Sequence, residues 1–176
     1  EGVTDASDAL THFFFDRLRV MMREAGYTAQ EVDAVLAKHD TDLAQTPKKL
    51  AAVHKFMQLP ESASLAAANK RIANILKKSA DVQTGEVDKE LLVEEAEKRL
   101  HDVLGDHEPI AKLFYEKGEY EGMLATLTPL KDPVDAFFAD VMVNSEDEKL
   151  RLNRLALLKR LYSLMNRVAE LSRLAI

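Results

Sequence analysis

Residues 150–174 read LRLNRLALLKRLYSLMNRVAELSRL. Leu150, Leu157, Leu158, Leu161, Leu164, Met165 and Val168 recur at the three- and four-residue intervals that line one face of an α-helix. Asn153, Lys159, Arg160, Asn166, Arg167 and Arg173 fall mainly on the opposite side. The pattern predicts one long amphipathic helix, capped by Asn144 or Ser145 with Glu148 three residues beyond the serine. It is expected to reach about Leu174. Arg154 falls inside the apolar stripe. A buried guanidinium needs an acceptor, because an unpaired buried charge is very costly. Arg154 is therefore read as structural, with Asp135 or Asp140 on the preceding helix as expected partners.

The same periodicity extends upstream. Leu10, Phe13, Phe14, Leu18, Met21, Met22 and Ala25 predict a first helix from near Ser7, with this stripe buried and Gly26 as its left-handed stop. Phe15 lies off that stripe. Thr28 and Glu31 form a capping box for a helix to about Lys38, burying Val32, Val35 and Leu36. Thr46 and Pro47 suit a helix start, the threonine as cap, and that helix should run to about Gln58 before Pro60. A helix from Ser62 or Ser64 to about Lys78 follows, with Leu65, Ala68, Ile72, Ile75 and Leu76 inward. Residues 80–85 read as a loop. An acidic helix is expected from about Asp88 to Leu104, ended by Gly105. Pro109 opens another to near Gly118, and a short one covers 120–127. Asp132 and Pro133 start the next, carrying Val134, Phe137, Phe138, Val141 and Met142. No segment alternates as a strand does. The fold class is all-α, a helical bundle subdivided near Pro60 into residues 1–60 and 61–176.

Composition agrees with this reading. Of 176 residues, 47% are hydrophobic and 31% charged, with few glycines and prolines to break helices. The absence of cysteine excludes disulfides, a cysteine nucleophile and a thiolate zinc site, and suits a reducing cytosol. No apolar run is long enough for a membrane span, so no membrane partner and a cytoplasmic location are expected. The chain opens on Glu1 and reads as a piece of a longer protein.

The net charge of −6 alone argues against a nucleic-acid partner, but charge is sorted along the chain. Residues 81–108 carry ten acidic and three basic side chains; residues 149–176 carry seven basic and one acidic; residues 62–80 carry four basic and none acidic. A basic surface can therefore exist on an acidic protein. On the helix around 65–78, Lys70, Asn74, Lys77 and Lys78 lie opposite the apolar face, with Asn69 and Arg71 flanking it. Cations there can meet phosphates, while Asn and Arg can reach base edges, which a single-stranded loop leaves accessible. The competing reading is a solvated lysine-rich face. Tyr27, Tyr115, Tyr120 and Tyr162 could stack on bases or simply pack. His39-Asp40 and His101-Asp102 are HD pairs, but no further ligands assemble around them. Catalytic residues and a metal site are not expected, and neither a phosphate loop nor a nucleophile elbow occurs.

Three segments jointly resemble one family. They are FFFDRLRVMMREAGYTAQEVDAVLA (13–37), LAAANKRIANIL (65–76) and DPVDAFFADVMVNSEDEKLRLNRLALLKRLYSLMNRVAELSRL (132–174). In order and spacing they resemble the C-terminal end of the beta subunits of bacterial two-subunit glycyl-tRNA synthetases. That resemblance implies a helical anticodon-binding domain of the DALR type over 61–176, with residues 1–60 as the helical body leading to upstream domains. It implies no cofactor in this segment, with ATP and Mg²⁺ used by the alpha subunit, which would be a partner through the full-length beta subunit. It implies the anticodon stem-loop of tRNA(Gly) as the RNA partner. On this view Lys70, Lys77, Lys78 and Arg151 meet phosphates, Asn69, Arg71 and Asn74 reach base edges, and Asn153 belongs to the same surface. The alternative is a helical protein-interaction module that binds no RNA. The ending VAELSRLAI departs from the family's V-A-D-I-S-L-L-like pattern, since Arg173 stands where an apolar residue is usual; this puts the packing of the last turn in question.

Overall fold

The computed structural model describes residues 3–40 and 42–176, with side chains left undescribed for 3–7. Among the described residues the chain is helical with no strand. The order is α1 (Val3–Glu24), α2 (Ala29–Leu36), α3 (Thr46–Phe56), α4 (Ser62–Lys78), α5 (Glu95–Glu116), α6 (Tyr120–Ala125), α7 (Lys131–Asp140) and α8 (Glu148–Met165). Short 3₁₀ turns join them, the last at Leu171–Leu174. One hydrophobic cluster runs from Met22 to Leu174. Helices α3 and α6 pack together, α5 packs on α6, α7 and α8, and the final turn packs on α4 and α2. The division expected near Pro60 falls between α3 and α4, which contribute to this same core.

Several starts and stops follow local chemistry. The Thr28 side chain accepts from the Glu31 amide at 3.2 Å, and Glu31 returns the contact to the Thr28 amide at 2.9 Å. Gly26 and Gly118 close α1 and α5 with positive φ, which glycine adopts without a Cβ clash. Helix α4 begins at Ser62 and ends at Lys78, as its sequence indicates.

Other expectations are corrected. Thr46 is the first residue of α3, not its cap, and Gln45 precedes it. The buried side of α1 is Phe15, Leu18 and Met22; Leu10 is 70% exposed, Phe13 64% and Met21 58%. Helix α1 carries one broad apolar arc, and periodicity alone does not say which part of it meets a neighbour. The ring of Phe15 stands edge-on to His39 at 6.0 Å, and Arg19 Nε reaches Asp33 at 3.2 Å, which turns that side toward α2.

Helix α5 runs unbroken through Gly105 and Pro109. Proline lacks an amide hydrogen and crowds the carbonyl four residues back, here that of Gly105. Tertiary contacts outweigh this local cost. Leu100, Leu104 and Ala111 are fully buried on either side of the proline, and Arg160 on α8 grips Glu108 with two bonds of 2.7 Å. The start of α5 also differs, because residues 88–94 form a 3₁₀ turn and a bend, not helix.

Helix α8 starts later and stops sooner than expected. Asp147 is the cap, accepting from the amides of Lys149 and Leu150, while Ser145 accepts from Asp147. Asn166 ends the helix: its side chain donates to the Tyr162 carbonyl at 2.8 Å and accepts from the Leu171 amide at 2.9 Å. The chain then turns back, and the Glu170 amide donates to Ala34 O at 2.8 Å. Leu171 and Leu174 are buried and Arg173 faces outward against Glu170 at 2.9 Å, so the added charge leaves the last turn packed.

Arg154 is buried, as the apolar stripe requires, but its partner is neither Asp135 nor Asp140. Its Nε donates to Glu97 Oε1 at 2.7 Å, and Glu97 is fully buried. The second oxygen of Glu97 accepts from the amides of Val93 and Glu94 at 3.1 and 2.8 Å, closing the first turn of α5. The far end of Arg154 donates to the Met142 carbonyl at 2.7 Å. Removing one member of a buried pair strands the other charge, at a cost of about 3–5 kcal/mol. We expect Arg154→Met to lose that much in guanidinium denaturation. Adding Glu97→Gln to Arg154→Met should cost less than Glu97→Gln does alone.

A second buried cation sits beneath α3. Lys49 bonds Asp40 and lies over the rings of Tyr115 and Tyr120, at 5.7 and 5.2 Å from their centroids. Burial pulls the Lys49 ammonium down, but the hydrogen bond and charge of Asp40 outweigh it and leave its pKa above the ordinary 10.5. Burial raises the Tyr120 phenol above its ordinary 10.0, against the lowering charge of Lys49. A raised folded pKa means stability that is complete below the unfolded value and lost as pH climbs through the folded one. The urea midpoint should therefore hold from neutral pH to about 10 and fall above it. Tyr120→Phe should flatten that fall, since it removes one raised group and one cause of the raised Lys49 pKa.

Candidate nucleic-acid interface

The placement of α4 decides the surface. Leu65, Ala66, Asn69 and Ile72 turn inward, which leaves Lys70, Arg71, Asn74, Lys77 and Lys78 exposed on the far side. Among the described residues no carboxylate pairs with Lys70, Arg71, Lys77 or Lys78. This contrasts with Lys55, which is held by Glu121 at 2.8 Å, and Lys131, held by Asp135 at 2.8 Å.

Across from α4, helix α7 stops at Asp140 and Val141 takes an extended conformation. Because Arg154 holds the Met142 carbonyl from below, the Met142 side chain is directed outward and is 73% exposed. Arg151 follows on the first turn of α8, half-buried, with Glu148 only loosely beside it at 4.0 Å. These elements enclose an open groove of about 540 Å³, lined by Arg71, Lys78 and Arg151 with Met142 and Asn144 on the loop side. The guanidinium of Arg71 lies over the Phe138 ring, 4.2 Å from its centroid. The groove thus joins three cations, an aromatic-backed guanidinium plane and an amide, which is a composition suited to an anionic, planar ligand. Lys70, Asn74 and Lys77 lie on the adjoining strip of the same helix, about 100° around from Arg71 and Lys78 by helical geometry.

A sequence profile of the DALR anticodon binding domain matches residues 65–171, the stretch from α4 to the final turn. The chain belongs to the DALR anticodon-binding family. Its groove lies wholly inside the matched region. The whole chain is similar to glycine–tRNA ligase beta subunits. It is 54% identical to that of Leptothrix cholodnii over 175 residues, covering 99% of this chain and 24% of the relative. It is 52% identical to that of Acidovorax sp. over 176 residues, with 100% and 24% covered. It is 51% identical to that of Dechloromonas aromatica over 175 residues, with 99% and 25% covered. The chain thus spans about a quarter of the length of these relatives.

Within this DALR domain two expected contact residues lie elsewhere. Asn69 is fully buried, its amide nitrogen 3.7 Å from Met165 Sδ, and it presents nothing to a ligand. It sits four residues after Leu65 and three before Ile72, on the inward stripe itself. Asn153 is also buried and clasps the 3₁₀ segment: it accepts from the Asp88 amide at 2.8 Å and donates to the Asp88 carbonyl at 2.9 Å. Of the other outward residues expected on α8, Arg160 is taken by Glu108 and Asn166 caps the helix. The tyrosines mostly pack: Tyr120 is buried edge-on to Tyr115 at 5.6 Å, and Tyr27 meets His54 at 5.7 Å. His101 lies 3.4 Å from its neighbour Asp102, and no three metal-ligating side chains converge among the described residues.

The 141–144 loop lines the groove and Phe138 backs Arg71, and neither role was legible in sequence. Phe138 reads as one more apolar residue of α7, and nothing local links it to Arg71, 67 positions earlier. Asn153→Ala should expose the Asp88 amide and speed its hydrogen exchange, at a cost of about 1–3 kcal/mol. The same variant should leave the salt dependence of RNA binding unchanged.

Proposed function

We propose that this chain binds the anticodon arm of a tRNA, and that it does so as part of the beta subunit of a glycine–tRNA ligase. Recognition is assigned to residues 61–176, with residues 1–60 as a helical support. The observation that carries this reading is the pair of α4 cations, Arg71 and Lys78, that share one groove with Arg151, inside the region that matches an anticodon-binding family. Lys70, Lys77, Lys78 and Arg151 meet phosphates along the loop and upper stem. Arg71 and Asn74 face the bases, and Asn144 joins them from the α7–α8 loop. Asn69 and Asn153 act from beneath, by packing. The chain supplies no catalytic group: it holds tRNA(Gly) so that its distant acceptor end reaches the alpha subunit, where ATP and Mg²⁺ serve glycine activation. The setting is the cytoplasm.

A protein contact is a second reading, favoured by one observation. Leu10, Phe13, Phe14 and Met21 form an exposed apolar stripe on α1. The two surfaces serve different partners, so a change on α1 leaves RNA binding intact.

Binding of an anticodon hairpin of tRNA(Gly) tests the proposal. Lys78→Ala with Arg151→Ala should weaken it and lower the slope of log affinity against log salt by about 0.7–0.9 per lost phosphate contact. A scrambled loop on the same stem should bind more weakly to the unmodified chain. Phe13→Ser should change neither. An unaltered slope in the Lys78, Arg151 variant would remove the groove from the account.

A further inference from the structure

We propose that the groove between α4 and the α7–α8 loop takes one unpaired base of a single-stranded RNA loop, stacked on the guanidinium plane of Arg71. This deepens the anticodon-arm reading and rests on it. Arg71 is exposed and lines the groove, and its central carbon lies 4.2 Å from the centroid of the Phe138 ring. The ring backs the guanidinium and limits its movement. The exposed part of the guanidinium is left for a base in the groove. Nucleic-acid bases stack on such arginine planes as they do on aromatic rings, and a plane already fixed loses little freedom when a base arrives.

The surroundings fit a nucleotide and not a bare anion. The space of about 540 Å³ exceeds what a phosphate needs and lies in the range of small-molecule sites. Met142 offers an exposed thioether from the loop, a soft and polarizable surface for the edge of a ring. Lys78 and Arg151 stand at the same groove to take the flanking phosphate, and Asn144 supplies both a donor and an acceptor for a base edge. The loop holds this position because Arg154, itself fixed by Glu97, grips the Met142 carbonyl at 2.7 Å. Arg154 and Glu97 are therefore positioning residues for the groove.

The test replaces Arg71 by lysine, which keeps the charge and removes the plane. Anticodon hairpins carrying 2-aminopurine at successive loop positions report stacking through their fluorescence. With the unmodified chain, one position should change sharply on binding. In Arg71→Lys that change should vanish and affinity should fall about tenfold, the scale of one lost stacking contact. The salt slope should stay the same, since the charge remains. Phe138→Leu, with its melting temperature measured alongside, should show the same fluorescence loss. If Arg71→Lys binds as tightly as the unmodified chain and keeps the fluorescence change, base stacking on Arg71 is wrong while the anticodon-arm reading stands. If the unmodified chain does not bind the hairpins at all, both fail together.

Discussion

A single buried carboxylate organises the half of the molecule that faces the groove. Glu97 accepts the amides that open α5 and, through its other oxygen, the guanidinium of Arg154 on α8. Arg154 in turn carries the Met142 carbonyl. Three segments distant in sequence are thereby tied through two side chains: the start of α5, the middle of α8, and the loop that walls the groove. Buried ion pairs are rarely a bargain in stability, since desolvation offsets most of their attraction. What this pair contributes is register. An apolar pair could fill the same volume, but it could not hold a backbone carbonyl and two helix-end amides in place.

The second constraint is electrostatic. The chain is acidic overall, yet α4 presents four cations with no carboxylate paired to them among the described residues. Like charges on one helix face repel, which costs stability and is relieved by a polyanion. Ten of the 30 acidic residues fall instead between 81 and 108, where Glu97 and Glu108 are committed to Arg154 and Arg160. Sorting of this kind keeps the net charge negative while leaving a basic surface available.

Legibility in sequence followed the range of the interaction responsible. Helices α2 and α4 were read nearly to the residue, because a capping box and a strongly two-sided segment are local signals. The cation face of α4 followed from the same arithmetic. Where a longer-range contact decided the outcome, local signals misled. Gly105 and Pro109 are sound breakers, but Glu108–Arg160 and the buried leucines carry α5 through them. The periodicity of 150–174 continues past Met165, yet Asn166 ends the helix by bonding both sides of the turn. Of the apolar stripe of α1, Leu18 and Met22 pack inward, while Leu10, Phe13, Phe14 and Met21 stay exposed. For the site, Arg154 was recognisable as structural from its place among leucines, but its partner 57 residues away was not. Asn153 was read as a surface amide and Asn69 as flanking the apolar stripe; both become packing residues once α8 and α4 meet their neighbours.

We propose that RNA meets this chain at the groove between α4, the α7–α8 loop and the first turn of α8. Titrating the isotope-labelled chain with an anticodon hairpin and following its backbone amide resonances tests that claim directly. The account predicts shifts concentrated at Arg71, Ile75, Lys78, residues 141–144 and Arg151, with α1, α3 and α6 unmoved. Shifts centred on the exposed stripe of α1, or on the acidic start of α5, would contradict it.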